Sequence, residues 1–451
     1  MIGRTTDNNC EKSWQEIFFE DVTPEAWARF YHRFANVKIQ DLLKENPSLL
    51  IFPQSISDYG DEWEKSCIFE SSKRDTLSTG NIMGFVEGEG TILTIASRFY
   101  PNDDDYFLHY LLQKVFGLHQ MDWNINSCRQ PIWDFLPYLF PAFLKNAITQ
   151  GIYKEYHEFQ YNDDKVHGKI DVARHLKLNV PFRGRVASSS RELSLCNPVT
   201  LLIRATIDLL QKTPRFAGTL HTDKDVQSAV ARIIKVTESF YSYSVDEIIA
   251  KNLRPVAHPY YTKYRPLQKL CLQILKHQKA SYGSNAKTIS GILFDGAWLW
   301  EEYLNTLLKK EGFLHPQNKQ KTGHIYLFDS PSGKRYPDFY RSGLVFDAKY
   351  KRFSPSEKGA VGRDDLHQII TYMFVLDYHK GAFLYPDRDV NAKITTLGRL
   401  NGIGQTYGSK IFLIPFVIPS KEVNSYTEFC EAMLEQEGRF VSRCQSLYSE
   451  V

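Results

Sequence analysis

The chain has 451 residues, 43% of them hydrophobic, which is enough for two or three packed domains, each with a core of its own. Its 55 basic residues against 52 acidic ones leave a net charge of +3, too even to announce nucleic acid, a membrane or an acidic partner, so any basic surface must be local. Seven cysteines are scattered without a C-x-x-C pair or a secretory leader ahead of them, the usage of a reduced, cytoplasmic protein.

In chain order, "SWQEIFFEDVTPEAWARFYHRFANVKIQDLL" mixes an apolar strand-like run with a helical pattern. "NIMGFVEGEGTILTIASRF" then reads as a hairpin, with two β-prone runs flanking Gly88-Glu89-Gly90. A helix follows in "PNDDDYFLHYLLQKVFG", capped by Asn102 or an adjacent Asp and ended by Gly117. Residues 1–130 are thus expected to form an α+β, β-rich module that docks a partner or guides a ligand.

From Pro131 an aromatic helical stretch runs to about Gly151; Asp134, Pro137 and Pro141 interrupt it, so it lacks the roughly 20 clean apolar residues of a membrane span. "IYKEYHEFQYNDDKVHGKIDVARHL" predicts two strands joined by a turn at Asn162-Asp163-Asp164, and helical periodicity holds from Asn197 to about Lys279. Residues 131–284 form a mostly helical middle region with a β-hairpin. "ASYGSNAKTISG" serves as the linker into residues 285–451. There "AWLWEEYLNTLLKKEG" reads as a helix, "HIYLF", "RYPDFY" and "GLVFDAKY" as strands, "DLHQIITYMFVLDYHKG" as a helix, and "AFLYP" and "KIFLIPFVI" as strands. This is an α/β pattern with a central mixed sheet flanked by helices, and the whole chain is α+β and multidomain.

The stretch carrying chemistry is "KRYPDFYRSGLVFDAKYKRF". Side chains two apart on a strand share a face, so Asp347 and Lys349 point the same way at the end of "GLVF". Asp338, on the preceding strand across the turn at "RSG", can bring its carboxylate beside that of Asp347. Two carboxylates on a partly dry face repel unless a cation separates them, and oxygen ligands without His or Cys suit Mg²⁺ or Mn²⁺. Such an ion acidifies a bound water and holds a phosphate oxygen while Lys349 orients the water or neutralises developing charge, the apparatus of phosphodiester hydrolysis.

Further residues fit that chemistry. Glu301 or Glu302 on the preceding helix, whose buried face is marked by Trp298, Leu304 and Leu308, can add a ligand, Glu301 being favoured. Gln368 and Tyr372, four apart, share a helix face from which they reach the nucleophile or a phosphate. Lys351 and Arg352 after the core lysine, and Arg183 and Arg185 in "FRGRVASSSR", are candidate DNA contacts. His157, His167, His175 and His258 show no ligand spacing and read as structural, and no G-x-x-x-x-G-K-[ST] loop occurs, so any motor must come from another chain.

With these residues placed, the chain resembles the McrC family, the nuclease subunits of McrBC-type modification-dependent restriction systems. The resemblance rests on "HGKIDVARHLKLN" with "SLCNPVTLLIRATIDLL", which look like the family's G-[KR]-[IL]-[DE] strand and N-x-x-x-x-x-x-[AST] helix. "LWEEYL", "DAKYK" and "LHQIITYM" follow in the family's order, and the likeness spans about Ile152 to Pro386. It implies a PD-(D/E)xK DNA endonuclease with active positions at Asp338, Asp347 and Lys349 and with Gln368 in the following helix. It also implies a McrB-like AAA+ GTPase hexameric ring as partner, which recognises and translocates double-stranded DNA while the McrC-like subunit stimulates GTP hydrolysis and cuts. Two other readings are a non-catalytic adaptor of the ring with the same fold, and a stand-alone nuclease for repair or tRNA.

Overall fold

The computed structural model describes residues 2–19, 22–46, 49–53, 67–73, 75–88, 91–100, 102, 105–116, 131–221, 223–238, 242–280, 289–317, 322–353, 361–401, 407–419, 423 and 425–448. The expected linker at 281–288, the hairpin tip at Glu89-Gly90, the caps Asp103 and Asp104 and the stop at Gly117 lie outside them. The chain is a mixed α+β protein that divides into two compact units, residues 1–129 with 286–451, and residues 130–285.

The first unit holds two five-stranded sheets. One runs in the order Ile2–Thr6, Thr91–Ala96, Ile82–Gly88, Ser290–Asp295, Leu49–Phe52. The hairpin read at 82–96 is present as an antiparallel pair closing at Gly88↔Thr91. Its other edge is paired by Ser290–Asp295, of which the sequence reading puts Ser290 and Gly291 in the linker and assigns the rest to no element. A Cβ on Gly84 would strike the Ile292 carbonyl and one on Gly291 the Phe85 carbonyl, and both have φ in the range that favours glycine, so these two positions let the strands close. Helices Pro24–Phe34 and Ile39–Glu45 cover this sheet through Trp27, Phe30, Phe34 and Leu42.

The second sheet has the order Phe339–Arg341, Leu344–Ala348, Lys380–Asp387, Tyr407–Val417, Thr395–Asn401. Its three central strands are parallel and its two outer pairs antiparallel, the mixed sheet expected from the alternation. Period-two alternation sends Val345, Phe383, Tyr385 and Leu413 to one face, where helix Arg363–Leu376 packs with Ile369, Tyr372 and Met373. The other face meets helices Gly296–Leu308 and Tyr426–Ser446, through Trp300 and Tyr303 against Phe416 and Phe416 against Phe440. A buried Glu437 ties three helices together: it accepts hydrogen bonds from Tyr110 at 2.7 Å and Tyr303 at 3.0 Å and pairs with Lys114 at 2.9 Å. The edge strand Thr395–Asn401 and the last helix had not been read from the sequence.

The second unit packs helices Pro131–Ile148, Pro198–Lys212, Lys224–Val236 and Tyr264–Ala280 beside a small antiparallel sheet. The hairpin expected around Asn162-Asp163-Asp164 is corrected here. Glu155–Asp163 pairs along its whole length with Val186–Ser194, and the two-residue strand Lys169–Ile170 pairs with the same central strand from its other side. Nine residues of pairing outweigh two, and the "DVARHL" that had been read as strand is helix Val172–Leu178, started by Asp171 accepting from the Arg174 N–H at 3.0 Å. Among the described residues no helix is long and apolar enough to cross a membrane.

Candidate active site

The register of the two antiparallel strands builds the site. Phe339 pairs with Phe346, so continuing the ladder one step sets Asp338 opposite Asp347. Gly343, with φ of 78°, makes the turn that returns the chain. Asp338 Oδ2 accepts from the Ala348 N–H at 2.7 Å, which fixes this carboxylate across the strand end. Asp347 is completely buried, and neither of its carboxylate oxygens accepts a well-aligned hydrogen bond among the described residues. Its nearest charge is Lys349 Nζ, 2.7 Å from Oδ2.

Burial first, and the Asp338 charge second, push the Asp347 carboxyl well above the ordinary carboxylate range, with Lys349 pulling the other way. Asp338 is raised too, by burial, against the pull of Lys349 and the Ala348 N–H. Burial opposes the Lys349 charge, yet the Asp347 and Asp338 carboxylates outweigh it and hold the ammonium above the usual lysine value.

Lys349 heads a hydrogen-bond chain. Its Nζ donates to Gln368 Oε1 at 3.1 Å, Gln368 Nε2 donates to the Tyr372 hydroxyl at 2.8 Å, and that hydroxyl donates to the Tyr336 carbonyl at 3.2 Å. The four-residue spacing of Gln368 and Tyr372 on helix Arg363–Leu376 therefore serves to orient one amide. Gly381 permits the helix this close, since a Cβ there would lie 2.6 Å from Met373 Sδ.

Two neighbours were missed from the sequence. Asp365, in the first turn of the same helix, lies 3.5 Å from Lys349 Nζ and forms a short ion pair with Lys351. An acid in a first turn ordinarily reads as dipole compensation, which hid it. His315 is the other: its Nδ1 is 2.7 Å from the Asp338 carbonyl, its ring stacks on Phe339, and its Nε2 lies 3.8 Å from both Glu301 Oε1 and Glu302 Oε1. As a lone histidine in "FLHPQ" it carried no signal.

Glu301 is accordingly not gathered with the aspartates. Among the described residues no group of three or more His, Cys, Asp or Glu side chains is arranged to hold a metal, and Glu301 and Glu302 both turn towards His315. The buried face of their helix is Leu299, Trp300, Tyr303, Leu304, Leu307 and Leu308, and Trp298, expected inside, is only half-buried. Lys351 and the exposed Arg352 follow directly from the site strand, whereas Arg183 and Arg185 are exposed in the second unit, ahead of strand Val186–Ser194.

The donor set fits a hard divalent cation of the Mg²⁺ or Mn²⁺ type that keeps several waters. Two facing carboxylates with unused lone pairs, one of them fully buried, supply anionic oxygen, and neither sulfur nor imidazole nitrogen competes in that pair.

Two solved structures from Thermococcus gammatolerans are similar to the chain. One is a refined half-complex from a tetradecameric assembly of McrB AAA+ hexamers with bound McrC, 14% identical with a TM-score of 0.48, covering 96% of this chain and 99% of that one. The other is a cryo-EM structure of the McrBC complex, 15% identical with a TM-score of 0.34, covering 69% of this chain and 88% of that one. Among curated proteins none matches. The family described as McrBC 5-methylcytosine restriction system component matches residues 77–386, more than half of the sequence and inclusive of the strand pair, Lys349 and Gln368. The chain belongs to that family.

Proposed function

We propose that the chain is the DNA-cutting subunit of a McrBC-like restriction system, a PD-(D/E)xK endonuclease dependent on Mg²⁺ or Mn²⁺. One observation carries this reading: Asp347 is wholly buried against the charge of a second carboxylate, with the Lys349 ammonium 2.7 Å from its Oδ2. A fold that served only as an adaptor gains nothing from such repulsion. A divalent ion bound there supplies an acidified water and a Lewis acid for a phosphodiester oxygen.

The chain's own residues do the rest. Asp338 and Asp347 hold the ion, the first of them pre-aimed by the Ala348 N–H. Lys349, kept protonated by both carboxylates, offers its ammonium to charge developing on the phosphorus oxygens. Gln368 restricts the ammonium to one direction, and Tyr372 sets which end of the Gln368 amide faces it.

Membership of the McrBC family supports an AAA+ GTPase ring of the McrB type as partner, with this chain stimulating GTP hydrolysis and the ring delivering double-stranded DNA. The amino-terminal and middle regions are the candidates for docking the ring and guiding the duplex, Arg183 and Arg185 among them. Plasmid cleavage with Mg²⁺ and the partner GTPase tests the assignment. Asp347→Ala is expected to abolish cutting and to leave partner-stimulated GTP hydrolysis in place; full cutting by this variant refutes it. Robust cutting by the wild-type chain without the GTPase would favour the stand-alone nuclease instead.

A further inference from the structure

The segment after the site strand, Lys351 to Phe353, runs between the amino-terminal and carboxy-terminal parts of the first unit. Two cavities open on either side of it. One, of about 420 Å³, is lined by Thr6, Asn8, Arg98, Lys351 and Arg352. The other, of about 300 Å³, is lined by Phe99, Arg352, Phe353, Pro386, Asp387 and Arg388. Arg352 borders both.

The charges along this seam are not equivalent. Arg98 is spent structurally: buried Asp7 accepts from its backbone N–H at 2.5 Å and pairs with its Nη1 at 2.8 Å, and Arg98 also donates to the Tyr350 carbonyl. Lys351 is neutralised by Asp365. Arg352 differs, for its Nη2 donates to the Arg98 carbonyl at 3.0 Å and its guanidinium lies 5.9 Å from the Phe99 ring centre, while among the described residues no carboxylate lies within ion-pair distance of it and buried Asp7 feels its charge only weakly, behind that of Arg98. Arg388 is exposed and likewise forms no ion pair among the described residues. The carboxylate in the cavity, Asp387, accepts from the Asp389 N–H at 3.0 Å.

The strands place these two cations on the catalytic rim. Leu344–Ala348 and Lys380–Asp387 are parallel, and the Lys349 N–H donates to the Leu384 carbonyl at 2.9 Å, so Arg352 and Arg388 both emerge beyond the carboxyl ends of the two central strands. At roughly 3.3 Å per residue, Arg352 lies within about 10 Å of Lys349 along the chain, some three base steps of a duplex. A guanidinium anchored by one N–H to a backbone carbonyl and by its face to a ring keeps its remaining donors and its full charge for a phosphate.

We infer that this seam is a phosphodiester-backbone site, in which Arg352 and Arg388 hold consecutive phosphates of the strand leading to Asp338 and Asp347, with Thr6 and Asn8 of the amino-terminal module as its polar wall. The inference rests on the nuclease reading above and deepens it by naming where the duplex is gripped. It also gives the amino-terminal module a direct part in holding substrate, through the Arg98 carbonyl that positions Arg352.

The test is duplex binding by the full chain, followed by fluorescence anisotropy of a labelled oligonucleotide with Ca²⁺ in place of Mg²⁺, at several salt concentrations. The double variant Arg352→Gln with Arg388→Gln is expected to lower the slope of log affinity against log salt by about 1.8, at 0.9 per phosphate lost. Arg352→Lys with Arg388→Lys keeps the charges and is expected to keep the wild-type slope. Both side chains are exposed enough for the variants to melt as the wild type does, which a thermal scan checks. An unchanged slope in the Gln pair, with wild-type binding intact, overturns the seam and leaves the nuclease reading standing. Wild-type protein that fails to bind the duplex even when assembled with its partner GTPase overturns both.

Discussion

Ser97 Oγ and Tyr350 Oη lie 2.7 Å apart in a buried contact between residues 253 positions apart in the sequence. Tyr350 is the residue after Lys349, and alternation sends its ring away from the lysine, against Phe99 of the amino-terminal module on one side and Trp300 of helix Gly296–Leu308 on the other. The strand that carries Asp347 is thus clamped through its neighbour rather than by its own charges. Tyr350→Phe keeps the ring and deletes the hydroxyl, so it is expected to destabilise the first unit by about 1 kcal/mol in urea unfolding. Ser97→Ala in the same background is expected to cost more again, because Ser97 Oγ also accepts from the buried Phe99 N–H at 3.1 Å.

The charge cluster makes a second prediction with an unusual sign. Among the described residues the carboxylates of Asp338, Asp347 and Asp365 are met by Lys349, Lys351 and, at Asp338, His315, and Asp347 is the one at which burial and a neighbouring carboxylate both disfavour a negative charge. Asp347→Asn removes it and keeps the shape. In metal-free buffer this variant is expected to be more stable than the wild type, by roughly 1 kcal/mol on the scale of buried-charge replacements. It should also lose any stabilisation that Mg²⁺ gives the wild type in a thermal scan. A lower melting temperature than wild type without metal would count against the repulsion on which the site reading depends.

For Gln368 the prediction is kinetic. Gln368→Ala leaves Lys349 its charge and removes its orientation, so single-turnover cleavage with the GTPase partner is expected to slow by about 10²-fold with little change in duplex affinity. Tyr372→Phe frees the amide to turn over and should cost less. A loss of affinity without a loss of rate would move Gln368 from positioning the lysine to holding DNA.

His109, on the amino-terminal helix Tyr106–Phe116, offers a pH signature away from the site. Burial, with Arg4 adding to it, depresses its imidazole to about 4. Its contribution to stability is therefore present above the ordinary histidine value near 6.5 and is lost as pH falls from there through about 4. The shift is worth about 3 kcal/mol across that window. His109→Gln is expected to flatten the melting temperature against pH between those limits; an unaltered profile would mean that the ring charges without hindrance.

What the sequence made legible was local. Period-two placement of Asp347 and Lys349, the turn that returns Asp338, and the helix spacing of Gln368 and Tyr372 all follow from single elements, and each of these side chains stands where its element puts it. Pairings between distant segments were not legible. "VASSSRELS" is polar enough to pass for a loop, yet it is the central strand of its sheet because Glu155–Asp163 matches it over nine residues. The short run "SGILFD" has no period to distinguish a strand from a linker end, and only the facing glycines Gly84 and Gly291 explain its partner. His315 beside Glu301 was hidden for a related reason, since helical phase alone does not reveal that a histidine arrives from the following turn to within 3.8 Å of it.

Strand Ser290–Asp295 completes a sheet begun within the first hundred residues, so the polypeptide departs from this unit near residue 129 and comes home to it near 286. Dissecting the gene there would not release two working pieces. A break near residue 286 would carry Ser290–Asp295 off with the carboxy-terminal piece and leave the apolar strands Ile82–Gly88 and Leu49–Phe52 unbridged in the amino-terminal one, with raw edges prone to aggregate. Tyr350 would meanwhile lose its socket. The Asp338, Asp347 and Lys349 cluster is therefore expected to be recoverable from halves only by refolding them together.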